Sequence, residues 1–294
     1  MEPKLIFFDI DGTLLNSGGQ YSSGLKSQID RLKKNGCKLA VASGRPALAA
    51  TFLFDELDIA DAGCFCSGAE IYDPKQKKLL YSHTISEYTL GKLHQIIMAE
   101  KIYHEWYSTD CYGSEYLVAQ SSSHSAKKIA IGQSEKYQIS KLHSQHLRVK
   151  SKNFTLLAMI EKAKPITKLL LGVNKKKSPT LLQGLAKDFP ECEFAFASFL
   201  PKPDWLFVSV LNKNANKQKA FKYLLKYHQV KTSEVVAFGD SQSDEVFVES
   251  AGLGVAMGNA TNRLKEIADL VIESSDNKGV EKMLARFYAS DNKF

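Results

Sequence analysis

Two short apolar runs near opposite ends of the chain, Leu5-Ile6-Phe7-Phe8 and Val235-Val236-Ala237-Phe238, each stop at a turn that carries aspartates. The first gives way to Asp9-Ile10-Asp11-Gly12-Thr13, the second to Gly239-Asp240-Ser241-Gln242-Ser243-Asp244. A continuous apolar run without alternation marks a strand buried on both faces, as in a parallel sheet covered by helices. Ligands of such sheets collect outside the carboxyl ends of the strands. Both acidic turns therefore belong at one sheet edge, and whatever lies between them must return the chain to the same sheet.

The flanking segments agree with this reading. Leu25, Ile29 and Leu32 keep helical spacing in a stretch ended by Gly36. Residues 38–42 form the next apolar run, closed by Ser43-Gly44, and a helical stretch follows Pro46 before another run near Gly63 to Cys66. The C-terminal part repeats the style, with helices expected over 217–227, 244–251, 263–268 and 279–287 and strands over 235–238, 254–257 and 270–272. The middle differs. Aromatic and β-branched runs occur at 102–107, 116–118, 169–173 and 205–211, helical stretches at 87–100 and 178–189, and a loop at Ser121-Ser122-Ser123. The spacing predicts an α/β protein: a doubly wound parallel-sheet core from residues 1–82 and 212–294, split by an inserted α+β domain over 83–211.

The length of 294 residues admits one large domain or two smaller ones. No run approaches the roughly 18 apolar residues of a membrane span, and the start Met1-Glu2-Pro3-Lys4 lacks the long apolar core of a secretory signal. We expect a cytoplasmic protein without a membrane partner. The five cysteines are scattered, odd in number and free of C-x-x-C pairs, which fits reduced thiols rather than disulfides or zinc. The 39 Lys and Arg against 32 Asp and Glu leave a net charge of +7. The lysines are dispersed, without an arginine-rich run, so the charge reads as a solvated surface and not as a nucleic-acid face. No phosphate-binding loop of the G-x-x-x-x-G-K-[ST] type is present, and Gly252, Gly254 and Gly258 miss the dinucleotide spacing by one residue. His104, His124, His143 and His146 in the insert lack metal-ligand spacing.

The chemistry follows from the two acidic turns. Three or four carboxylates brought to one edge repel each other unless a cation sits among them. A small set of hard oxygen ligands indicates Mg²⁺. A calcium loop would end on a glutamate where this chain has Gln20. A helix start capped by Ser243 or Asp240 is the plainer reading of the second turn. Gly12 permits a sharp turn that brings backbone N–H groups near a ligand. Ser43-Gly44-Arg45 offers a hydroxyl and backbone N–H groups at a strand–helix turn, a cradle for an anion. Lys217, opening a helix after Asn214-Ala215-Asn216, is a candidate to neutralise a phosphate oxygen, or else one more surface lysine among many.

Together these elements resemble the haloacid dehalogenase superfamily, and more closely its Cof-type hydrolases. Asp9-Ile10-Asp11-Gly12-Thr13 is similar to the first motif, Ser43-Gly44-Arg45 to the second, Lys217 to the third and Gly239-Asp240 with Asp244 to the fourth. Ser67-Gly68-Ala69-Glu70-Ile71-Tyr72 and the stretch from Ala251 to Ala260 support the subfamily. The resemblance implies a Rossmann-like core with an inserted cap, and Mg²⁺-dependent hydrolysis of phosphate monoesters through a phospho-aspartyl intermediate. It implies Asp9 as nucleophile and metal ligand, and Asp11 as proton donor to the leaving alcohol and then base, its backbone carbonyl on the metal. It makes Asp240 the further metal ligand, with Ser243 and Asp244 supporting the metal, and gives Gly12, Ser43, Gly44 and Lys217 to the phosphoryl group. Asp11, near other carboxylates with its side chain off the metal, is expected to hold a proton. Dehalogenases and P-type ATPases of the superfamily lack an acid at that position. The chain departs from the subfamily with Ser241 for glycine, Ser243 for asparagine, Gln218 for glycine and Ser67 for asparagine. The partner implied is a small phosphorylated metabolite of the sugar phosphate, pyridoxal phosphate or flavin mononucleotide type. Trp106, Tyr107, Tyr112 and Lys168 are candidates to meet its leaving group, or else core residues. The alternative is a protein of the same fold that binds such metabolites with little or no turnover.

Overall fold

The computed structural model of the chain describes residues 2–115, 135–152, 154–174, 178–197 and 205–288. The chain divides into two compact units, one of Met1–Arg45, Ala50–Tyr81 and Asn216–Phe294, the other of Pro46–Ala49 and Ser82–Ala215. Residues 46–49 thus cluster with the second unit, where Ala49 packs beside Tyr103, Tyr107 and Tyr112.

The first unit is built on an eight-stranded sheet. Its strands are β1 (Leu5–Phe8), β2 (Lys38–Ala42), β3 (Asp61–Phe65), β4 (Glu70–Asp73), β5 (Lys78–Ser82), β11 (Val235–Gly239), β12 (Leu253–Ala256) and β13 (Leu270–Val271). Their order is β13-β12-β11-β1-β2-β3-β4-β5. The strands from β13 to β3 pair in parallel, as the apolar runs predict. β4 departs from the all-parallel expectation and pairs antiparallel with β3. The connection explains it: the four residues from Cys66 to Ala69 join β3 to β4, too few for the crossover that a parallel neighbour needs.

Register brings the two acidic turns together. Phe8 lies opposite Phe238 on one side and Val41 on the other. The residues that follow, Asp9, Gly239-Asp240 and Ala42-Ser43, therefore leave the sheet at one level. β1 is fully buried, and Phe7 anchors two helices to it. Its ring lies 5.9 Å from Phe221 of helix Lys217–His228 and 4.9 Å from Phe247 of helix Glu245–Ser250, while those two rings meet edge-on at 5.2 Å. Such pairs add about 0.5–1.5 kcal/mol each beyond burial of their area. The triangle fixes the helix that opens with Lys217 and the helix that follows Asp244 onto the strand that ends at Asp9.

The second unit carries a five-stranded antiparallel sheet in the order β7-β6-β8-β10-β9. The strands are β6 (Tyr103–Tyr107), β7 (Tyr112–Ser114), β8 (Lys168–Asn174), β9 (Cys192–Ala197) and β10 (Trp205–Asn212). Helix Glu87–Ala99 begins at Ser86, whose side chain accepts from Thr89 N, and buries Leu90, Leu93 and Ile97 in a core with Trp106, Leu169, Leu171 and Val210. The two-residue period of β6 sends Tyr103, Glu105 and Tyr107 to the other face. The run at 116–118, the loop at 121–123 and His124 lie outside the described residues. Among those described, no helix is long and apolar enough to cross a membrane.

Candidate active site

Asp9 follows β1 at 5% exposure, its amide donating to Phe238 O at 3.1 Å. One carboxylate oxygen each from Asp9, Asp240 and Asp244 falls within 4.8 Å of the others, the metal-ligand cluster found among the described residues. The charges are felt in the titration. Burial, then Asp244, Asp240 and Asp11, push the Asp9 carboxyl well above the usual range, with Lys217 pulling it partly back. Burial, then Asp244 and Asp11, push Asp240 up to about 7. Carboxylates that cannot ionise together without cost, offering only hard oxygens, form a donor set that a divalent cation fits.

Asp244 is the best supported of the three. Its Oδ2 accepts from Asp240 N at 3.2 Å, Ser241 N at 3.0 Å and Ser241 Oγ at 2.8 Å, and its Oδ1 from Ser243 Oγ at 3.0 Å and Lys217 Nζ at 3.3 Å. The turn is thus closed by Asp244 reaching back to Ser241, in place of a cap from Ser243 or Asp240. Gly239 leaves room for this, since a Cβ there would meet Asp244 Cβ at 2.4 Å. Lys217 holds the first position of its helix because the Asn216 side chain accepts from Gln218 N at 2.8 Å and Lys219 N at 3.1 Å. Its ammonium is buried and lies 3.5 Å from Ser243 Oγ.

Gly12 makes the sharp turn expected of it, with its own N–H used inside that turn. Its N–H donates to Leu15 O at 3.1 Å, so that donor is spent within the turn. The glycine is instead required by space and by backbone: φ is +77°, and a Cβ would stand 2.2 Å from Asp240 Oδ2. Sequence reasoning missed Asn259, whose Nδ2 donates to Gly12 O at 2.8 Å and lies 3.4 Å from Asp240 Oδ2, while its Oδ1 accepts from Ser275 N at 2.9 Å. The available signal was its position just past β12, at the same sheet edge.

Ser43 is buried, its amide bonded to Cys64 O at 2.9 Å and its Oγ accepting from Arg45 N at 3.3 Å. The turn after β3 holds this segment, with Cys66 N donating to Arg45 O at 2.9 Å and Ser67 N to Ser43 O at 3.2 Å. Gly44 faces Ser67, whose Oγ would lie 3.5 Å from a Cβ there. Gly68, at φ +103°, lies against the helix start, where a Cβ would meet Lys217 N at 2.9 Å. One left-handed turn therefore joins Ser43-Gly44 to Lys217.

Asp11 stands apart from the cation group. Arg45 Nε donates to its Oδ2 at 2.7 Å and Nη2 to its Oδ1 at 2.5 Å. Its two oxygens each accept from the guanidinium fork, an arrangement that orients the Asp11 carboxyl. Trp106, Tyr107 and Tyr112 are core residues of the second unit, fully buried, and Lys168 Nζ lies over the Tyr107 ring at 5.5 Å.

The family model of haloacid dehalogenase-like hydrolases matches residues 6–284. Phosphatase YwpJ of Bacillus subtilis (strain 168) is 28% identical over 293 residues, with 96% of this chain and 98% of that protein covered. The 5-amino-6-(5-phospho-D-ribitylamino)uracil phosphatase YitU of the same organism is 22% identical, with 98% of each chain covered. The solved structure of the subclass IIB sugar phosphatase BT4131 superposes with a TM-score of 0.73 at 20% identity, over 96% of this chain and 98% of that one.

Proposed function

The chain belongs to the haloacid dehalogenase-like hydrolases and is a phosphatase of that family, and from this premise we propose that it hydrolyses small phosphate monoesters with Asp9 as nucleophile and Mg²⁺ as cofactor. The observation that carries the reading is the crowding of Asp9, Asp240 and Asp244 within 4.8 Å. Asp9 and Asp240, with the Asp11 backbone carbonyl, would hold the cation, and Asp244 would steady it. When bound, Mg²⁺ supplies the positive charge that lets an anionic carboxylate face an anionic ester.

The chain's own groups do the rest. The Asp9 carboxylate attacks phosphorus as the ester oxygen departs, and Asp11, released from Arg45 by one oxygen, gives that oxygen a proton. Water then attacks phospho-Asp9 while Asp11 accepts its proton. Ser43, the Gly44 amide and Lys217 steady the phosphoryl oxygens, which is most of what phosphoryl transfer asks of a protein. An ammonium has three donors, and Lys217 spends two on Asp244 and Ser243, leaving one for phosphate.

Substrates of the flavin mononucleotide (a ribityl phosphate ester), sugar phosphate or pyridoxal phosphate type suit a monoester site of this kind. YitU, named for a ribityl phosphate ester, favours the first class. We assign the choice among them to the insert 83–211, through residues other than the inward-facing Trp106, Tyr107 and Tyr112. Turnover of p-nitrophenyl phosphate with Mg²⁺, abolished by EDTA and by Asp9→Asn, is the expected result, followed by kcat/KM across phosphorylated metabolites. No turnover over a broad panel would overturn the reading in favour of a metabolite-binding protein.

A further inference from the structure

Asp11 pairs with a buried cation, Arg45, as Asp244 does with Lys217. The Arg45 side chain is 4% exposed, whereas that of Asp11 is 44% exposed. The Arg45 backbone that carries the guanidinium is tied at both ends: Arg45 O accepts from Cys66 N at 2.9 Å, and Arg45 N donates to Ser43 Oγ at 3.3 Å. Its planar fork meets both carboxylate oxygens, through Nε at 2.7 Å and Nη2 at 2.5 Å. A bidentate pair fixes orientation as well as distance, because rotation of the carboxylate would break one of two parallel bonds. The arrangement therefore aims Asp11 as an acceptor and keeps it out of the Asp9–Asp240–Asp244 group.

We infer that Arg45 is a positioning residue that sets Asp11 for the second half of the reaction. The inference rests on the role proposed above for Asp11. In that step a water oxygen bonds to phosphorus as the bond from phosphorus to the Asp9 oxygen breaks. The water proton passes to Asp11, and the products are a free Asp9 carboxylate, inorganic phosphate and protonated Asp11. That proton is the one the next leaving alcohol takes. A lysine in place of Arg45 would keep the charge but lose the fork.

The test is a double-mutant cycle on the full chain with p-nitrophenyl phosphate. Arg45→Lys should lower kcat about 10- to 100-fold, the cost of misaligning a reacting group by about an ångström, with KM within about threefold. Because nitrophenolate leaves without a donated proton, the first turnover should survive as a burst while phospho-Asp9 decays slowly. Adding Arg45→Lys to Asp11→Asn should cost almost nothing more, since both changes remove one function. Losses that multiply, or a rise in KM alone, would make Arg45 a phosphate ligand and overturn the inference. Arg45→Gln is the second variant should Arg45→Lys melt below the assay temperature. Failure of both to fold, while Asp11→Asn folds, would make Arg45 a purely structural residue. Undiminished turnover of Asp11→Asn would instead remove the role of Asp11, and the inference with it.

Discussion

Two buried carboxylates in this chain meet opposite surroundings. In the second unit Glu105, fully buried on β6, accepts from the hydroxyls of Tyr103, Tyr107 (2.7 Å) and Tyr112 (2.9 Å), and pairs with His143 Nδ1 at 2.5 Å. Burial pushes its carboxyl up, but His143 and the tyrosine hydroxyls outweigh burial and hold it below the usual range. In the first unit Asp9 is buried as deeply, yet its main electrostatic neighbours are Asp244, Asp240 and Asp11, and its carboxyl is pushed well up. A carboxylate given donors on every side is a fixture of the fold. Carboxylates turned toward one another form instead a donor set that a divalent cation fits.

Substitutions can break this contrast. The largest effect should come from Asp9→Asn, which removes the proposed nucleophile: turnover of p-nitrophenyl phosphate should fall at least about 1000-fold. The metal-free variant should melt no lower than the parent, because a repelling charge has gone. A marked loss of stability would place Asp9 in the same class as Glu105. Glu105→Gln should do the reverse. By stripping the charge from a buried hydrogen-bonded pair it should cost about 2–4 kcal/mol in urea unfolding; a cost below about 0.5 kcal/mol would show that the tyrosine cluster is not what holds that sheet face.

The pH dependence of the metal-free protein sharpens the same point. Asp240 has its carboxyl raised from 3.8 to about 7, so over that window the folded chain holds more protons than the unfolded one. Stability from this group is present at low pH and lost as pH rises through about 7. Added Mg²⁺ should therefore raise the melting temperature more at pH 8 than at pH 6, by on the order of 5 °C at the higher value. Equal shifts at both values would contradict the cation reading. The smallest effect is expected from Ser243→Asn, which restores the usual residue of the fourth motif. One added hydrogen bond, about 1 kcal/mol, should tighten the apparent Mg²⁺ constant about fivefold, as read from activity against metal concentration; weaker binding would show that the Lys217–Ser243–Asp244 contacts already replace the asparagine.

Much of the site was legible in the sequence because strand ends and register are backbone properties. The unbroken runs before Asp9 and Asp240 predict parallel neighbours, and parallel neighbours in register bring their next residues to one edge. The antiparallel β4 was harder to read, since Glu70–Asp73 carries no alternation that separates it from a parallel strand. Side-chain direction was not legible at all. Nothing in the spacing of Asp11 and Arg45 shows that the arginine folds back onto the aspartate. The N–H of Gly12 could not be seen to be spent on Leu15 O, nor Asn259 to reach Gly12 O. Trp106, Tyr107 and Tyr112 have the composition of a ligand-binding patch, and only the two-residue alternation of β6 against its neighbours turns them into core.

The central proposal is that Asp9 takes the phosphoryl group. Its most direct test is mass spectrometry of the peptide carrying Asp9 after acid quench of the enzyme turning over p-nitrophenyl phosphate with Mg²⁺. The prediction is the mass of one phosphoryl group on Asp9, increased in Asp11→Asn, where decay is slowed, and absent in Asp9→Asn. Steady turnover with no phosphoryl group on Asp9, in the parent and in Asp11→Asn alike, would contradict it.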